Sequence, residues 1–153
     1  MNRKFNWRDG LRLAEFVVIL VAAIFAYQTL KDAAKGISEQ LTATFNDDVT
    51  NENSTGIIAA IDQSKPILIE NGGHFDDYHL DNYLGIYEVM DGAYLRHQID
   101  QEDFCGEFSY YLQQTKNSKE INDYIQKVRK DYKEPNFYTG FEELASKSLK
   151  DCK

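Results

Sequence analysis

One continuous apolar segment near the N-terminus constrains this chain more than any other feature of its sequence. Residues 16–30 (FVVILVAAIFAYQTL) are 15 residues without a formal charge, and residues 13–15, which include one glutamate, extend the segment to 18. A transmembrane helix needs roughly 20 mainly apolar residues, with a lower limit near 17. Residues 16–26 also lack the polar face that a helix in a soluble core normally carries. The segment therefore predicts a membrane-spanning helix, with Trp7 and Tyr27 as anchors at the two interfaces.

A signal peptide is the first alternative to a membrane span, because the chain begins with basic residues followed by a short apolar run. Against this alternative, the leader contains Asp9 and Glu15, and the small-residue pattern of a cleavage site is poor even at its best position, after Ala23. A helix buried inside an oligomer is the second alternative. Glu15 fits either an interfacial residue paired with Arg8 or Arg12 or a polar group lining an oligomer axis, and we favour the interfacial pair.

The apolar pattern continues beyond the predicted span as a seven-residue repeat. Two sets of positions recur at this spacing: Leu13, Leu20, Tyr27, Ala34 and Leu41 in one, and Phe16, Ala23, Leu30, Ile37 and Thr44 in the other. Beyond the span the remaining positions are mostly polar, and within it Ala22 and Ala26 form a small-residue pair that lets two membrane helices approach closely. The repeat predicts a self-associating stalk. The alternative, which the sequence leaves equally open, is that Ile37, Leu41 and Phe45 pack against the soluble domain of their own chain.

Charge divides the chain into two unlike parts. Residues 1–36 contain six Lys or Arg and three Asp or Glu, a net charge of +3, whereas residues 37–153 contain 11 and 22, a net charge of −11. An acidic soluble domain argues against binding to duplex nucleic acid or to anionic lipid, both of which require a basic face. It is compatible with a small anionic ligand held in a local basic pocket.

The sequence gives conflicting indications of topology. Four basic residues precede the span and only Lys31 and Lys35 follow it closely, so the positive-inside rule places the N-terminus in the cytoplasm and the domain outside. The two cysteines indicate the opposite, because Cys105 lies in an apolar helical pattern and Cys152 in the tail, without the spacing of a disulfide framework. Two cysteines can nevertheless pair, and their number alone does not decide the question.

The rest of the sequence predicts a linker followed by helices. Residues 46–54 (NDDVTNENS) are rich in turn-forming residues and predict the linker. Helices are predicted over Thr55–Gln63, from Asp76 or Asp77 to about Arg96, from Asp100, from Ser118 to before Glu134, and from Tyr138 or Thr139. Residues 67–70 fit a short strand or a helix end, and we favour the helix end.

Apolar residues at helical spacing predict the buried face of each helix. They are Ile57, Ile58 and Ile61; Leu80, Tyr83, Leu84, Tyr87, Met90, Ala93 and Tyr94; Phe104, Cys105, Phe108, Tyr111 and Leu112; Ile121, Tyr124, Ile125 and Val128; and Phe141, Leu144, Ala145 and Leu149. We therefore predict an all-α fold without internal repeats. It has an N-terminal transmembrane helix continuing into a stalk (1–45), a linker (46–54) and a soluble helical domain (55–153) that forms a small bundle of about four helices.

The pattern of several residues in the soluble part resembles that of a known kind of protein. They are Tyr87-Glu88, Gly92-Ala93, Ile99-Asp100, Phe104, Ile125, Arg129 and the run Phe141-Glu142-Glu143-Leu144-Ala145. Over roughly half of its length the chain resembles the helical domain of small bacterial membrane proteins with one N-terminal span, and this resemblance implies a domain that faces the cytoplasm. Size and layout, although no motif, also resemble a membrane effector of type III CRISPR systems. That resemblance implies an oligomer that binds cyclic tetra-adenylate and then perturbs the membrane.

No catalytic constellation is recognisable in the sequence. The spacing of His74, His79 and His97 is not that of a two-histidine helix motif. Residues 74–81 (HFDDYHLD) could supply metal ligands, but acids that cap a helix start explain them better. Cys105 is expected to pack in the core rather than act as a nucleophile. We expect no metal, no cofactor and no enzymatic activity.

Two groups of basic residues are the candidates for ligand binding. Arg96 and His97 follow an aromatic-rich helix, and Arg129 and Lys130 belong to a cluster at the end of a later helix. Cations at helix C-termini are ordinarily explained by the helix dipole and by solvation. Alternatively, Arg and Lys donate to phosphates, and nearby aromatic rings stack on unpaired bases. The predicted ligand-binding residues are therefore Arg96, His97, Arg129 and Lys130.

Two functions from different classes remain open. The first is an oligomeric membrane effector whose helical domain senses a cyclic oligoadenylate and whose transmembrane helices then perturb the lipid bilayer in antiviral defence. The second is a membrane-anchored protein-interaction module with no nucleotide ligand. For both we expect a single-pass protein of the bacterial inner membrane. On the family resemblance and the lack of a cysteine framework, and against the charge rule, we expect the soluble domain to lie in the cytoplasm.

Overall fold

The fold is all-α, as the sequence predicts. The computed structural model describes the backbone of residues 7–152 and the side chains of residues 15–152. Within this range there are seven α-helices, one 3₁₀ turn and no strand. The helices are α1 (Trp7–Thr50), α2 (Glu52–Asp62), α3 (Asp77–Leu95), α4 (Gln101–Glu107), α5 (Ser109–Asn117), α6 (Lys119–Tyr132) and α7 (Thr139–Asp151).

The chain forms two compact units, residues 1–37 and residues 38–153. In the first unit every described side chain from Glu15 to Ile37 is exposed, including Phe16, Phe25 and Leu30. A long apolar helix without protein around it suits a bilayer, where its backbone groups are satisfied within the helix. Among the described residues, α1 is the one helix long and apolar enough to cross a membrane. The chain is thus compatible with a single-pass membrane protein.

Three expectations at the N-terminus concern side chains outside the described residues. They are the interface anchor Trp7, the repeat position Leu13 and the pairing of Glu15 with Arg8 or Arg12. The Glu15 side chain itself is described and is exposed.

The second unit begins inside α1 and buries one side of it. Ser38, Leu41, Phe45 and Val49 follow one another at helical spacing, and Phe45 and Val49 are 6% and 0% exposed. Leu41 packs partly against the same core. The alternative to a self-associating stalk, packing against the domain of the same chain, therefore holds for Leu41 and Phe45. Ile37, the third residue of that alternative, is 53% exposed.

The predicted linker over residues 46–54 is helical apart from Asn51. Helix α1 continues to Thr50 because Val49 completes its buried face, and this burial outweighs the weak helix propensity of the surrounding Asn, Asp and Thr residues. Asn51 then caps α2, since its side chain accepts a hydrogen bond from the backbone N–H of Ser54 at 2.9 Å.

The core of the second unit confirms nearly all of the predicted apolar faces. Every residue named above for these faces is buried or packs partly against the core, except Leu149, which is 53% exposed. The prediction that Leu149 is buried is wrong by one position along the helix. The neighbouring Ser148 takes the inward position and is 2% exposed, and its hydroxyl lies 3.1 Å from the Gln113 amide nitrogen.

The helix predicted to start at Asp100 is two helices, α4 and α5. The apolar spacing runs through both, and Phe108 at their junction is fully buried. The Ser109 hydroxyl donates to the backbone carbonyl of Cys105 at 2.6 Å. A side-chain hydrogen bond of this kind competes with the helical ladder and bends the helix.

Hydroxyl groups buried in the core form a chain of hydrogen bonds that ends at a backbone carbonyl. Tyr87 donates to the hydroxyl of Tyr83 at 3.0 Å, and Tyr83 lies 2.7 Å from the Thr115 hydroxyl, which in turn donates to the carbonyl of Tyr111. Burial raises the pKa of Tyr83 and of Tyr87 well above the ordinary tyrosine value. The neutral phenols therefore tie α3 to α5 without an unsatisfied hydroxyl.

Residues 67–75 form a tight turn rather than a helix end. It contains a 3₁₀ turn, Ile69–Asn71, and an isolated bridge between Leu68 and Phe75. The Glu120 carboxylate of α6 accepts the backbone N–H groups of Ile67 and Leu68 at 2.8 and 2.9 Å. A Cβ atom at Gly73 would lie 2.1 Å from the Ile67 carbonyl oxygen, so only glycine fits there.

We expect Phe45→Ala to destabilise the second unit by about 3–5 kcal/mol, because it leaves a cavity under the buried part of α1. The matched control is Ile37→Ala, at an exposed position of the same helix, for which we expect a change within about 0.5 kcal/mol. Chemical denaturation of the full-length protein in detergent, followed by near-ultraviolet circular dichroism, measures both. Equal effects of the two changes would contradict the packing described here.

Candidate functional site

Some of the residues that carry the family resemblance meet at the N-terminus of α7. The Glu88 carboxylate of α3 accepts the backbone N–H of Phe141 at 2.7 Å. Burial raises the pKa of Glu88 above its ordinary value, against the lowering effect of this hydrogen bond. A Cβ atom at Gly140 would lie 3.1 Å from the same carboxylate. The Tyr87-Glu88 and Phe141-Glu142 pairs thus join α3 to the start of α7, which gives them a structural role.

Arg129, one of the four predicted ligand-binding residues, is engaged within the domain. Its Nε donates to the carbonyl of Phe137 at 2.9 Å, and its two terminal nitrogens donate to the two carboxylate oxygens of Glu142 at 3.2 and 2.8 Å. The Arg129 side chain is 16% exposed. This two-bond pairing occupies the guanidinium nitrogens that would otherwise be able to bind a phosphate.

The other three predicted residues lie on the surface. Arg96 follows α3 as its C-terminal cap, and its Nε donates to the side chain of Gln98 at 3.0 Å. His97 has a left-handed backbone with φ 54° and donates its N–H to the carbonyl of Tyr94. Lys130 is exposed on α6. These three residues therefore remain accessible to solvent.

The four predicted residues do not converge on one place within a protomer. Arg129 binds Glu142 in the first turn of α7, whereas the Tyr94 hydroxyl, two residues before Arg96, donates to Asp151 at the end of α7 at 2.9 Å. Nine residues of helix separate the two contacts, or about 14 Å at 1.5 Å per residue. The two basic groups thus lie near opposite ends of α7.

Cys105 and Cys152 form a disulfide, which the sequence spacing did not indicate. Their Cα atoms are 5.2 Å apart, and 47 positions separate them along the chain. The end of α7 is brought to α4 by Gln101, whose side chain donates to the Asp151 carbonyl at 3.0 Å. The pairing of the two cysteines, which the sequence left open, depends on helix packing that no local spacing reveals. Cys105 is only half-buried.

The histidine and aspartate run at the start of α3 has a capping role. Asp76 accepts the backbone N–H of His79 at 3.0 Å, and its carboxylate also lies 2.5 Å from His79 Nδ1. Asp81, on the same helix, accepts the hydroxyls of Tyr124 and Tyr138. Among the described residues, no group of three His, Cys, Asp or Glu side chains is arranged to hold a metal ion.

One groove of the second unit is lined by equal numbers of basic and acidic residues. It has a volume of about 860 Å³ and lies between the 67–75 turn and the start of α6. Its Lys119 pairs with Asp123, its Lys127 pairs with Glu70 at 3.1 Å, and its Glu120 holds the turn. Most of its charges are therefore already used in holding the fold.

A second surface combines exposed apolar groups with two cavities that meet at Tyr78. One cavity, of about 490 Å³, is lined by Leu68, Ile69, Phe75 and Tyr78 together with the carboxylates Glu70, Asp76 and Asp77. The other, of about 240 Å³, is lined on its outer side by Asn51, Asn53, Tyr78, His79, Asn82 and Ile86. We call the residues lining these two cavities the Tyr78 surface. No lysine or arginine is among the described residues that line it.

Tyr78 and Ile69 are two of the large side chains that this domain exposes. Tyr78 is 69% exposed and Ile69 is 61% exposed. Along α3, the exposed positions after Tyr78 are Asp81, Asn82, Val89 and Leu95, of which only Asp81 carries a charge. Tyr78 and Val89 are 11 residues apart, which places them on the same side of the helix about 16 Å from each other. The Asp81 carboxylate accepts the hydroxyls of Tyr124 and Tyr138, and the other three exposed positions are uncharged.

Sequence reasoning did not identify the Tyr78 surface. The available signal was that Tyr78 and Val89 fall outside the apolar face of α3 that Leu80, Leu84 and Met90 define. An apolar residue on the polar side of an amphipathic helix marks a candidate contact. No feature of the sequence indicates that Ile69 and Phe75 belong to the Tyr78 surface, because their position depends on how the 67–75 turn folds.

Comparisons with known proteins assign no family to this fold. The chain matches no protein-family model, and no curated protein and no solved structure is significantly similar to it. The resemblances described from the sequence therefore stay predictions.

We expect Arg129→Ala to lower the free energy of unfolding by about 1–2 kcal/mol, because it leaves Glu142 and the Phe137 carbonyl without their donor. Lys130→Ala, one position along the same helix and exposed, is the matched control and should change stability by no more than about 0.5 kcal/mol. Urea titration of the two variants measures the difference. A stability of Arg129→Ala equal to that of the parent would show that the forked contact is dispensable.

Proposed function

We propose that this chain is a single-pass membrane protein whose helical domain docks another protein on the outer, periplasmic side of a bacterial inner membrane. The observation that carries the proposal is the Tyr78 surface. It combines large exposed apolar side chains, two concave cavities and a lining without lysine or arginine. Exposed apolar groups in a concave setting, rimmed by polar residues, are typical of protein-binding surfaces.

The anchor is supported by the exposure of α1. Its side chains from Glu15 to Ile37 are exposed, and most of the large ones are apolar. Burying such a surface in lipid is favourable at roughly 25 cal/mol per Å² of apolar area. A protein anchored in this way keeps its second unit attached to the membrane, which suits an interaction module.

The proposed topology reverses the expectation from the sequence. The cytoplasmic placement depended in part on the absence of a cysteine framework, and the Cys105–Cys152 disulfide removes that ground. Disulfides persist in the periplasm and are rare in the cytoplasm, where thiols are kept reduced. The basic residues before the span support the same orientation, with the N-terminus inside. The remaining ground for the cytoplasm is the family resemblance.

The cyclic oligoadenylate sensor is the competing proposal. It requires free Arg or Lys donors for each phosphate, preferably close to aromatic rings. Arg129 is already paired with Glu142, and Arg96 lies near the other end of α7. Within a protomer these contacts add no support to that proposal. Convergence of the residues would have to come from neighbouring copies around a symmetry axis.

The topology can be tested with the two cysteines. When denatured without reductant, the full-length protein from cells should resist a maleimide-linked polymer, and after reduction it should take up two labels. Cys152→Ser is the control, because it frees Cys105 and should give one label under both conditions. An alkaline phosphatase fused after Lys153 should also be active, since this enzyme folds only outside the cytoplasm. Two labels without reduction and an inactive fusion would refute the periplasmic placement.

The competing sensor can be tested by thermal shift of the full-length protein in detergent. We expect cyclic tri-, tetra- and hexa-adenylate to leave the melting temperature unchanged. A ligand at 100 times its dissociation constant would add about 2.7 kcal/mol of stability, which is readily detected. A shift that disappears in Arg96→Ala but persists in Lys150→Ala, an exposed cation of α7, would establish the sensor instead of the interaction module.

A further inference from the structure

We propose that the Tyr78 surface binds a segment of a partner protein in which an apolar side chain is flanked by lysine or arginine. This inference rests on the proposed function, because it names the chemistry of the partner that the interaction module binds. Its grounds are the apolar cavity, the charge around it and the rigidity of its walls.

The apolar cavity provides the anchor point. Ile69 and Tyr78 are mostly exposed and Phe75 is half-buried, so the three side chains meet in a depression that is partly open to water. Binding energy at protein interfaces is concentrated where an anchor side chain fills such a depression, and tyrosine is enriched there. A volume of about 490 Å³ accommodates one or two large side chains of a partner rather than a whole helix face.

The rim of the cavity selects a basic partner. Glu70, Asp76 and Asp77 surround the apolar groups, and Lys127 lies 3.1 Å from Glu70 and 3.6 Å from Asp77. Three carboxylates and one ammonium leave the rim with a net charge of −2. A backbone hydrogen bond from His79 lowers the pKa of Asp76, so this carboxylate is ionised at neutral pH.

The charge of the whole second part of the chain acts in the same direction. Residues 37–153 carry a net charge of −11, which attracts a basic segment at long range and repels an acidic one. The same rim disfavours the headgroups of anionic lipids. A polypeptide with apolar and basic residues matches both the cavity and its surroundings.

The walls of the cavity are held before any partner arrives. Glu120 fixes the backbone of Ile67 and Leu68, and the backbone N–H of Ile69 donates to the carbonyl of Phe75 at 2.8 Å. A Cβ atom at Gly56 would lie 2.6 Å from the Phe75 ring, so the glycine of α2 makes room for that ring. A preformed site loses little conformational entropy on binding.

A short peptide tests the inference directly. The full-length chain is placed in phosphatidylcholine nanodiscs, and a fluorescent peptide Lys-Lys-Leu-Phe-Lys-Lys is titrated against it, with empty nanodiscs as the blank. We expect saturable binding, and no binding of Glu-Glu-Leu-Phe-Glu-Glu or Lys-Lys-Ser-Ser-Lys-Lys. The combined change Glu70→Gln, Asp76→Asn and Asp77→Asn should weaken binding by about tenfold. Asparagine at position 76 keeps the helix cap.

Two matched controls separate the site from general attraction. Glu102→Gln, Glu107→Gln and Glu143→Gln together remove the same number of charges from exposed positions that line neither cavity, and they should change the affinity less than twofold. Tyr78→Ala should weaken binding by about tenfold, whereas Tyr132→Ala, which removes a tyrosine that is 72% exposed, should not. Circular dichroism confirms that each variant is folded.

Several outcomes would overturn the inference. Equal weakening by the two triple changes would mean that the domain attracts any basic peptide without a defined site. No saturable binding up to about 1 mM peptide would exclude this partner chemistry. A lower mass of Tyr78→Ala in detergent, measured by light scattering, would assign the surface to a second copy of the chain.

The test is independent of the proposed function. Loss of the peptide site with a periplasmic domain would leave the interaction module in place and remove only its partner chemistry. A cytoplasmic domain or a cyclic oligoadenylate shift would overturn the proposed function whatever the peptide does.

Discussion

The packing of α3 against α7 is the constraint on which the rest of the second unit depends. Three polar contacts hold the pair along its length: Glu88 to the N–H of Phe141, Asp91 to Lys147 at 2.6 Å, and Tyr94 to Asp151. They occur in the same order along both helices, so α3 and α7 run parallel. Asp91 is 7% exposed and would be costly to bury without its partner. Next to the first of these contacts, the rings of Tyr87 and Phe141 pack together with centroids 5.8 Å apart.

Three cations of the domain are already engaged in contacts of this kind. Lys127, Arg129 and Lys147 each pair with a carboxylate of another segment: Glu70 of the 67–75 turn for Lys127, Glu142 of α7 for Arg129, and Asp91 of α3 for Lys147. Such contacts connect elements that are distant in sequence. The acidic residues outnumber the basic ones, so these pairings leave an excess of carboxylates at the surface. This excess of carboxylates is the charge on which the proposed basic partner depends.

The sequence predicted what periodicity determines and missed what packing determines. The inner face of α3, from Leu80 to Ala93, followed from helical spacing and was right. The continuation of α1 through residues 46–54 was missed, because those residues favour turns locally and only the burial of Val49 in the folded domain overrides that preference. The break at Phe108 was missed for the converse reason, since the apolar spacing runs through it without interruption.

The candidate surface was beyond sequence reasoning for a similar reason. It forms only when the 67–75 turn is clamped by Glu120, about fifty positions later in the chain, and set beside the start of α3. Likewise, the candidates Arg96, His97, Arg129 and Lys130 came from charge and residue type, which do not reveal that Arg129 is already paired with Glu142.

The covalent link between α4 and the end of α7 also alters what a protease can do to this protein. All the turns between α4 and α7 lie inside the loop that Cys105 and Cys152 close. Exposed turns are the preferred places for nicking. A single cut in any of these turns would leave two polypeptides joined by the disulfide, so the piece carrying α7 would stay attached to the piece that continues into the apolar helix.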